Sequence, residues 1–539
     1  MAAPPLARAQ LLQQVATSKV IAPASPPQAR KSAAALTTAS AQKELNVTTP
    51  TSAGATVVEG TTLLRPALAP SRHPCELQRA HTPLRSSIFE QELINHPDKA
   101  WTSWLLAGID NGVSTGYNGP RFPHTARNLA SALKHPDIID TELSKEIVAG
   151  RILGPFAERP LVNLRTSGMG AVPKKNGKWR VIMHLSAPEG SSINDFIHKE
   201  DFPIHYATVD DAVAMLSRYG RGCIMAKIDL KAAFRMVPIA AKEWDLLGLH
   251  WKGRYYVDTC LPFGLRSAPH LFNQFATALH WIMANNYAAD VIHYLDDFLL
   301  AGPAEQPTCR ESTQTMLRVC ERLGIPVALD KLEGPATTIT FLGITIDTVL
   351  QQLRLPPEKL QEMTTLIKSW LGKNKATKRD LLSLIGKLSF AAKVVPSGRL
   401  FLRRLIELST SVSKLHHHIH LNAEAREDIK WWDRFLPSWN GVSIFLDPNW
   451  KDAESMNLFT DASGTLGYGA YFNGAWFRGN WRPHQRLPLR SIQWQELFAI
   501  VAAAGTWGHH LQGQRITVHC DNMAIVQSWS NQSTRHPGI

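Results

Sequence analysis

The chain is 539 residues long, far beyond an average domain of about 150, so a lone small module is excluded and three or four domains are expected. Hydrophobic residues make up 44% of it and charged residues 19%, ordinary globular usage, which excludes wholesale disorder. Lysine and arginine number 58 against 45 acids, a formal net charge of +13 that favours a polyanionic partner such as nucleic acid.

Residues 1–84 have no sustained periodicity, and the first acid is Glu44. Their Ala, Pro, Ser and Thr content is that of a flexible tail; organellar transit peptides share it. Order is expected to begin near Ser86. From there to Pro155 the pattern is helical: Ile88, Leu93 and Ile94 recur at helical spacing, and Thr141 to Ile147 ends at Gly150. Residues 85–169 are therefore a helical N-terminal extension. From Gly170 to about Ile346 short β-rich segments alternate with helical ones, which predicts an α+β domain over 170–350. Pro356 to Leu408 turns helical again, with Lys368, Lys373, Lys375, Lys378, Lys387, Arg403 and Arg404 among the apolar positions, and 351–450 is a further region. A loop around Pro437 to Pro448 precedes a final α/β-like segment, 455–539.

Six cysteines, Cys75, Cys223, Cys260, Cys309, Cys320 and Cys520, lie far apart with no Cys-x-x-Cys pair, which argues against a zinc ribbon and a disulfide scaffold and fits a reducing compartment. The longest apolar run, Leu497 to Trp507, falls short of the roughly 18 to 20 residues that span a bilayer. The expected location is intracellular, cytoplasmic or nuclear, with no secretion and no membrane partner.

The first chemistry lies in Val291 to Leu300, two apolar flanks around Asp296-Asp297, which reads as a hairpin. Alone, the acidic pair is an ordinary turn. Upstream, Ile224 to Asp229 alternates as a strand with Ile224, Ala226 and Ile228 on one face and Asp229 at its end. Strand-end and turn aspartates that converge form an oxygen-ligand site for a hard cation such as Mg²⁺. Two such ions about 4 Å apart suit phosphoryl transfer. Clustered carboxylates also raise one another's pKa, so metal binding is expected to stabilise this domain.

Asp229 with Phe234, Leu261-Pro262-Phe263-Gly264 and Tyr294-Leu295-Asp296-Asp297, preceded by Pro173 to Arg180, resemble in order and spacing the motifs of reverse transcriptases. The resemblance implies an α+β right-hand polymerase, with fingers and palm over 170–350, a thumb after them, and Asp229, Asp296 and Asp297 as the metal-binding triad. It also implies that Lys175 and Arg180 fold over the incoming triphosphate, where a point charge and a planar fork suit phosphate oxygens. The bland reading of that pair is a solvated hairpin turning at Asn176-Gly177. Phe234 corresponds to the aromatic that excludes a 2′-hydroxyl, against a plain core-packing role; Phe263 is a wall of the nucleotide pocket, and Gly264 lets backbone approach the nucleotide or template. The family's usual arginine after the Trp-Arg pair is replaced by Ser186. The run from His184 to Asp195, with His96 to Ala100 and Gly150 to Phe156, looks like the DIRS-type retrotransposons.

A second set of acids follows. Asp461 sits near the end of a strand that breaks at Gly464, Glu496 opens an apolar helical run, and Ile516 to Asp521 alternates as a strand with Thr517, His519 and Asp521 on one face. Together they resemble ribonuclease H, which implies two-metal hydrolysis of the RNA strand of an RNA–DNA hybrid by Asp461, Glu496 and Asp521. That family takes a further acid from a late helix; eighteen residues follow Asp521 here and none is acidic, so either the sequence is a fragment or its nuclease is crippled. His416, His417, His418 and His420 lack an acid or Cys at ligand spacing and are expected in a solvated loop.

The expected protein is thus an RNA-directed DNA polymerase of a retroelement joined to a ribonuclease H-like domain. Two Mg²⁺ ions per active site, with Mn²⁺ as an alternative, and an RNA template, DNA primer, RNA–DNA hybrid and dNTPs as partners follow from the resemblance; it leaves oligomeric state open. The rivals are a nucleic-acid-binding relic without catalysis and a viral polymerase of the same fold.

Overall fold

The computed structural model describes residues 19–21, 80–173, 177, 179–438, 442–443, 456–486, 488–511 and 516–530. Most of the expected N-terminal tail, Lys175, and most of the loop between Pro437 and Pro448 lie outside the described residues; Lys19–Ile21 forms a short strand. The chain divides into two compact units, Lys43–Leu342 and a second made of Met1–Gln42 with Gly343–Ile539.

In the first unit the first helix is α1 (Ser86–Glu92), followed by α2 (Lys99–Asn111), and Ala80 and Leu84 just before α1 are already buried in the core. Asp98 caps α2 by accepting from the Trp101 amide at 2.8 Å. Ile94 lies beyond α1 and is 68% exposed, so it is not part of a buried helical stripe. Helix α3 (Pro136–Val148) covers the predicted Thr141 to Ile147 segment. The helical pattern then stops earlier than expected, because strand β1 (Ile152–Phe156) joins a five-stranded sheet with β5 (Gly248–Trp251) and β6 (Arg254–Asp258). Only pairing partners about 100 residues away reveal those five residues as a strand. Strands β2 (Met169–Pro173) and β3 (Trp179–Met183) form the expected hairpin, with Pro173 opposite Trp179.

The sheet that carries the acids has the order β7-β8-β4-β9, formed by β4 (Ile224–Asp229), β7 (Asp290–Tyr294), β8 (Asp297–Gly302) and β9 (Glu333–Ala336). Helices α4 (Val209–Ser217), α5 (Ala268–Asn286) and α6 (Thr308–Leu323) pack against it. In β4, Ala226 and Ile228 are buried on one face, and Met225 and Lys227 are buried on the other. A central strand covered on both sides loses the half-exposed pattern of a surface strand. Lys227 survives there because its ammonium pairs with Glu333 and donates to the Thr340 carbonyl at 3.1 Å.

The second unit opens with a helical layer, α7 (Pro357–Leu371), α8 (Lys378–Ala391), α9 (Arg403–Ser409) and α10 (Ala423–Phe435). His418–His420, expected in a loop, instead pairs as a strand with Lys375–Thr377. Strands β10 (Asn457–Ala462), β11 (Gly467–Phe472) and β12 (Ala475–Asn480) follow as an antiparallel meander. Helix α11 (Ile492–Leu511) leads to β13 (Thr517–His519), which lies parallel to β10, and α12 (Met523–Ser530) ends the described chain. One face of α11 buries Ile500, Ala503, Ala504, Trp507 and Leu511 against Leu458 and Val518 of the sheet.

Candidate active site

The register of the palm strands assembles the first acidic group. β8 pairs antiparallel with β4 so that Asp297 lies directly opposite Asp229, and β7 pairs with β8 so that Tyr294 faces Asp297. Leu295 and Asp296 make the two-residue turn between them. Leu295 has φ 53°, a conformation that a branched side chain adopts at a cost and that tends to occur at functional turns. The Leu230 amide donates to the Asp296 carbonyl at 3.0 Å, tying the turn to the end of β4.

Burial drives Asp296 up to about 6, with the Asp229 charge adding to it. Burial also takes Asp297 up to about 7, reinforced by Asp296 and then Asp229. These carboxylates repel one another in a half-buried corner, and all three donors are hard oxygens, the set that suits Mg²⁺ or Mn²⁺. One cationic group already reaches in. The Lys331 ammonium sits 2.9 Å from Asp229 Oδ1, carried there by a short turn whose Ala328 amide donates to the Asp229 carbonyl. No local pattern marks Lys331, because the pairing spans a hundred residues.

The residues expected on the nucleotide side gather around Phe234. It follows Ala232, at φ 55°, in a 3-10 turn (Ala233–Met236), and its ring lies 5.1 Å from Phe263 and 5.3 Å from Phe272 of α5. Phe263 is 48% exposed. The Arg180 guanidinium carbon stands 5.9 Å from the centre of that ring, at the outer limit of a cation–π contact, so the structure brings Arg180, Phe234 and Phe263 together. Gly264 has φ +94°, and a Cβ there would approach the Met183 carbonyl to 3.3 Å. Its own carbonyl accepts from Asn194 Nδ2 at 2.9 Å, and Asn194 Oδ1 accepts from the Arg266 amide at 2.8 Å. Ser186, where the resemblance leads one to expect arginine, accepts from the same Asn194 amide at 2.8 Å. Its work is internal bracing of the Phe263-Gly264 loop, which a single sequence does not reveal.

The second acidic group also converges. Glu496 on α11 is buried, and ligand atoms of Glu496, Cys520 and Asp521 all lie within 4.8 Å of one another. Burial raises Glu496 to about 7, with Asp521 and then Asp461 contributing, which places Asp461 in the same field. Gln495 holds the start of α11 against the bend after β10 by donating to the Gly464 carbonyl at 3.1 Å. Cys520 was not foreseen here; burial pushes its thiol up to about 11, so it is neutral. Among the basic positions of the helical layer, Arg403 pairs with Glu407, Arg404 lies 3.4 Å from Asp428, and Lys378 donates to the Val412 carbonyl, so part of that charge serves the fold.

Residues 172–346 match the family described as Reverse transcriptase (RNA-dependent DNA polymerase). The chain is 23% identical over 303 residues to the Pro-Pol polyprotein of Feline foamy virus, covering 56% of this chain and 23% of the relative. It is 30% identical over 144 residues to Protein P of Heron hepatitis B virus, covering 26% of this chain and 18% of the relative. It thus spans less than a quarter of these curated relatives. In fold it is similar to a foamy viral protease-reverse transcriptase solved with double-stranded DNA, with a TM-score of 0.50, 18% identity, and coverage of 81% of this chain and 74% of that one. An α+β right-hand polymerase architecture followed by an α/β segment accounts for the likeness. The chain therefore carries a reverse transcriptase domain, residues 172–346.

Proposed function

We propose that this chain is an RNA-directed DNA polymerase of a DIRS-type retroelement. In this reading residues 85–169 extend the fingers, 170–350 are fingers and palm, 351–450 are thumb and connection, and 455–539 are a ribonuclease H-like domain. The observation that carries the reading is the strand register that sets Asp229 opposite Asp297, with Asp296 in the adjoining turn. A primer 3′-hydroxyl attacks the α-phosphate of a dNTP paired to an RNA template, and pyrophosphate leaves. Asp229, Asp296 and Asp297 would hold two Mg²⁺ or Mn²⁺ ions, which when bound supply activation of the hydroxyl and neutralisation of the departing charge.

The chain's own side chains do the rest. Phe234 closes the space beside the sugar at C2′ and selects deoxynucleotides. Phe263 and Gly264 form the wall on which the nucleotide lies, and Arg180 with Lys175 grips the triphosphate. Asp461, Glu496 and Asp521 form a second site, of the same two-cation kind, for the RNA strand of an RNA–DNA hybrid. The five described cysteines are buried and none is in a disulfide, in keeping with a reducing intracellular compartment, and no described helix is long and apolar enough to cross a membrane.

Primer extension on poly-rA with dTTP and Mg²⁺, run beside Asp296→Asn, tests polymerisation and the ligand assignment together. Incorporation by the parent and none by the variant is expected. Equal incorporation by both would refute the assignment, and none by either would favour a nucleic-acid-binding relic.

A further inference from the structure

Directly after Phe234 stands a residue that the nucleotide pocket does not touch. Arg235 is buried, its side chain 9% exposed, between the carboxylates of Glu146 and Asp258, which are 8% and 2% exposed. Its Nε and Nη2 donate to Glu146 Oε2 at 3.0 and 2.9 Å. Its Nη1 donates to Asp258 Oδ2 at 2.9 Å, to the Cys260 carbonyl at 3.1 Å and, more weakly, to the Leu261 carbonyl at 3.4 Å. Glu146 is held on its other side by Arg151, at 2.6 and 2.8 Å.

Three parts of the unit meet on this one guanidinium: helix α3 through Glu146, the end of β6 through Asp258, and the two carbonyls that lead into Phe263 and Gly264. The backbone repeats the connection, since the Leu261 amide donates to the Val237 carbonyl and the Ile239 amide to the Thr259 carbonyl, both at 2.9 Å. A buried ion network is a poor way to gain stability, because apolar side chains of equal volume do as well or better. What an apolar side chain lacks is direction. A planar fork with five donors fixes four acceptor groups at set angles, and lysine's point charge cannot.

We propose that Arg235 is a positioning residue that sets the spacing between Phe234 and Phe263, and with it the selection of deoxy- over ribonucleotides. Phe234 is placed through the peptide bond it shares with Arg235, and Phe263 through the carbonyls at Cys260 and Leu261. The inference rests on the assignment of Phe234 and Phe263 to the sugar pocket made above.

Single-nucleotide extension on poly-rA with dTTP and with UTP, giving KM and kcat for each, tests it on the full chain, with Phe234→Ala, Arg235→Lys and Asp258→Asn beside the parent. For Arg235→Lys the dTTP KM is expected to rise about tenfold or more, the scale of a displaced binding wall, with a smaller change in kcat and a lower preference for dTTP over UTP. A purely structural role would lower kcat through the active fraction and leave KM and preference unchanged; that outcome overturns the proposal. Phe234→Ala separates the two ideas. If it relaxes the preference while Arg235→Lys keeps parental KM and preference, the pocket assignment stands and the proposal falls; if Phe234→Ala changes nothing, both fall. Should Arg235→Lys fail to fold, Asp258→Asn decides, since it keeps the guanidinium and weakens one anchor: a smaller shift in the same direction is expected, and parental values overturn the proposal.

Discussion

Replacing Asp297 by asparagine should make the first unit more stable in the absence of divalent cations, by an amount that grows above about pH 4 and is complete near neutral pH. Asp297 titrates near 7 instead of 3.8. Holding its charge in place at neutral pH therefore costs ~4 kcal/mol. That penalty is burial first and repulsion second, and the repulsion is shared with Asp296, itself raised to about 6, so about 2 kcal/mol is the net relief expected from one substitution. The sign follows from linkage. The folded chain holds this proton more tightly than the unfolded one, so no penalty exists below about pH 4; it grows as pH rises and is complete above about pH 7. Thermal melts of the parent and Asp297→Asn in EDTA should therefore coincide near pH 4 and separate by roughly 5 °C near pH 8, with the variant higher. Saturating Mg²⁺ should close or reverse the gap, since the parent gains more from the ion. A variant that melts at or below the parent near pH 8 in EDTA would show that the acids are not strained against one another, and the cation-site argument would fail with it.

Glu496→Gln offers the same test in the second unit: with Glu496 near 7, a gain of about 1 to 3 kcal/mol near pH 8 and none near pH 4 is expected in urea melts without metal. Lys331→Met should lower the Mg²⁺ concentration for half-maximal stabilisation by about two- to fivefold, the worth of a part-exposed ion pair, because the ammonium no longer competes for Asp229 Oδ1; an unchanged midpoint in melts against Mg²⁺ counts against that competition. Gly264→Ala should cost about 1 to 3 kcal/mol and raise the dNTP KM, since φ +94° is closed to a Cβ; a parental melting temperature and KM would show that the loop can relax.

The parts of the site legible in the sequence are those written in short stretches. The Val291 to Leu300 hairpin and the strand ending at Asp229 follow from local alternation, and their antiparallel pairing then leaves little choice about which acids meet. Helix α1 starts at Ser86 as the change in composition indicates. What escaped depends on distant partners. Ile152–Phe156 has no alternation of its own and becomes a strand by pairing with β6. Lys331, Asn194 and Arg235 are ordinary polar residues in one dimension; only folding delivers them to Asp229, to the Gly264 carbonyl and to Glu146. The histidines are exposed, as their composition suggests, but only His416 and His417 stay in a loop, since His418–His420 pairs as a strand with the distant Lys375–Thr377.

The opposition of Asp229 and Asp297 across a ladder has a consequence for how this protein can change. Side chains alternate along each strand, so deleting one residue from Met225 to Ile228 would turn the acid toward the helices and empty the corner at a stroke. The exposed stretch between β8 and α6 bears no such arithmetic and can lengthen or shorten freely. Indels in this domain therefore fall into two kinds: those that rewrite the phase of a strand, or cut into the Leu295-Asp296 turn or the Phe263-Gly264 loop, and end the chemistry, and those in exposed connections that carry no site residue, which leave it untouched.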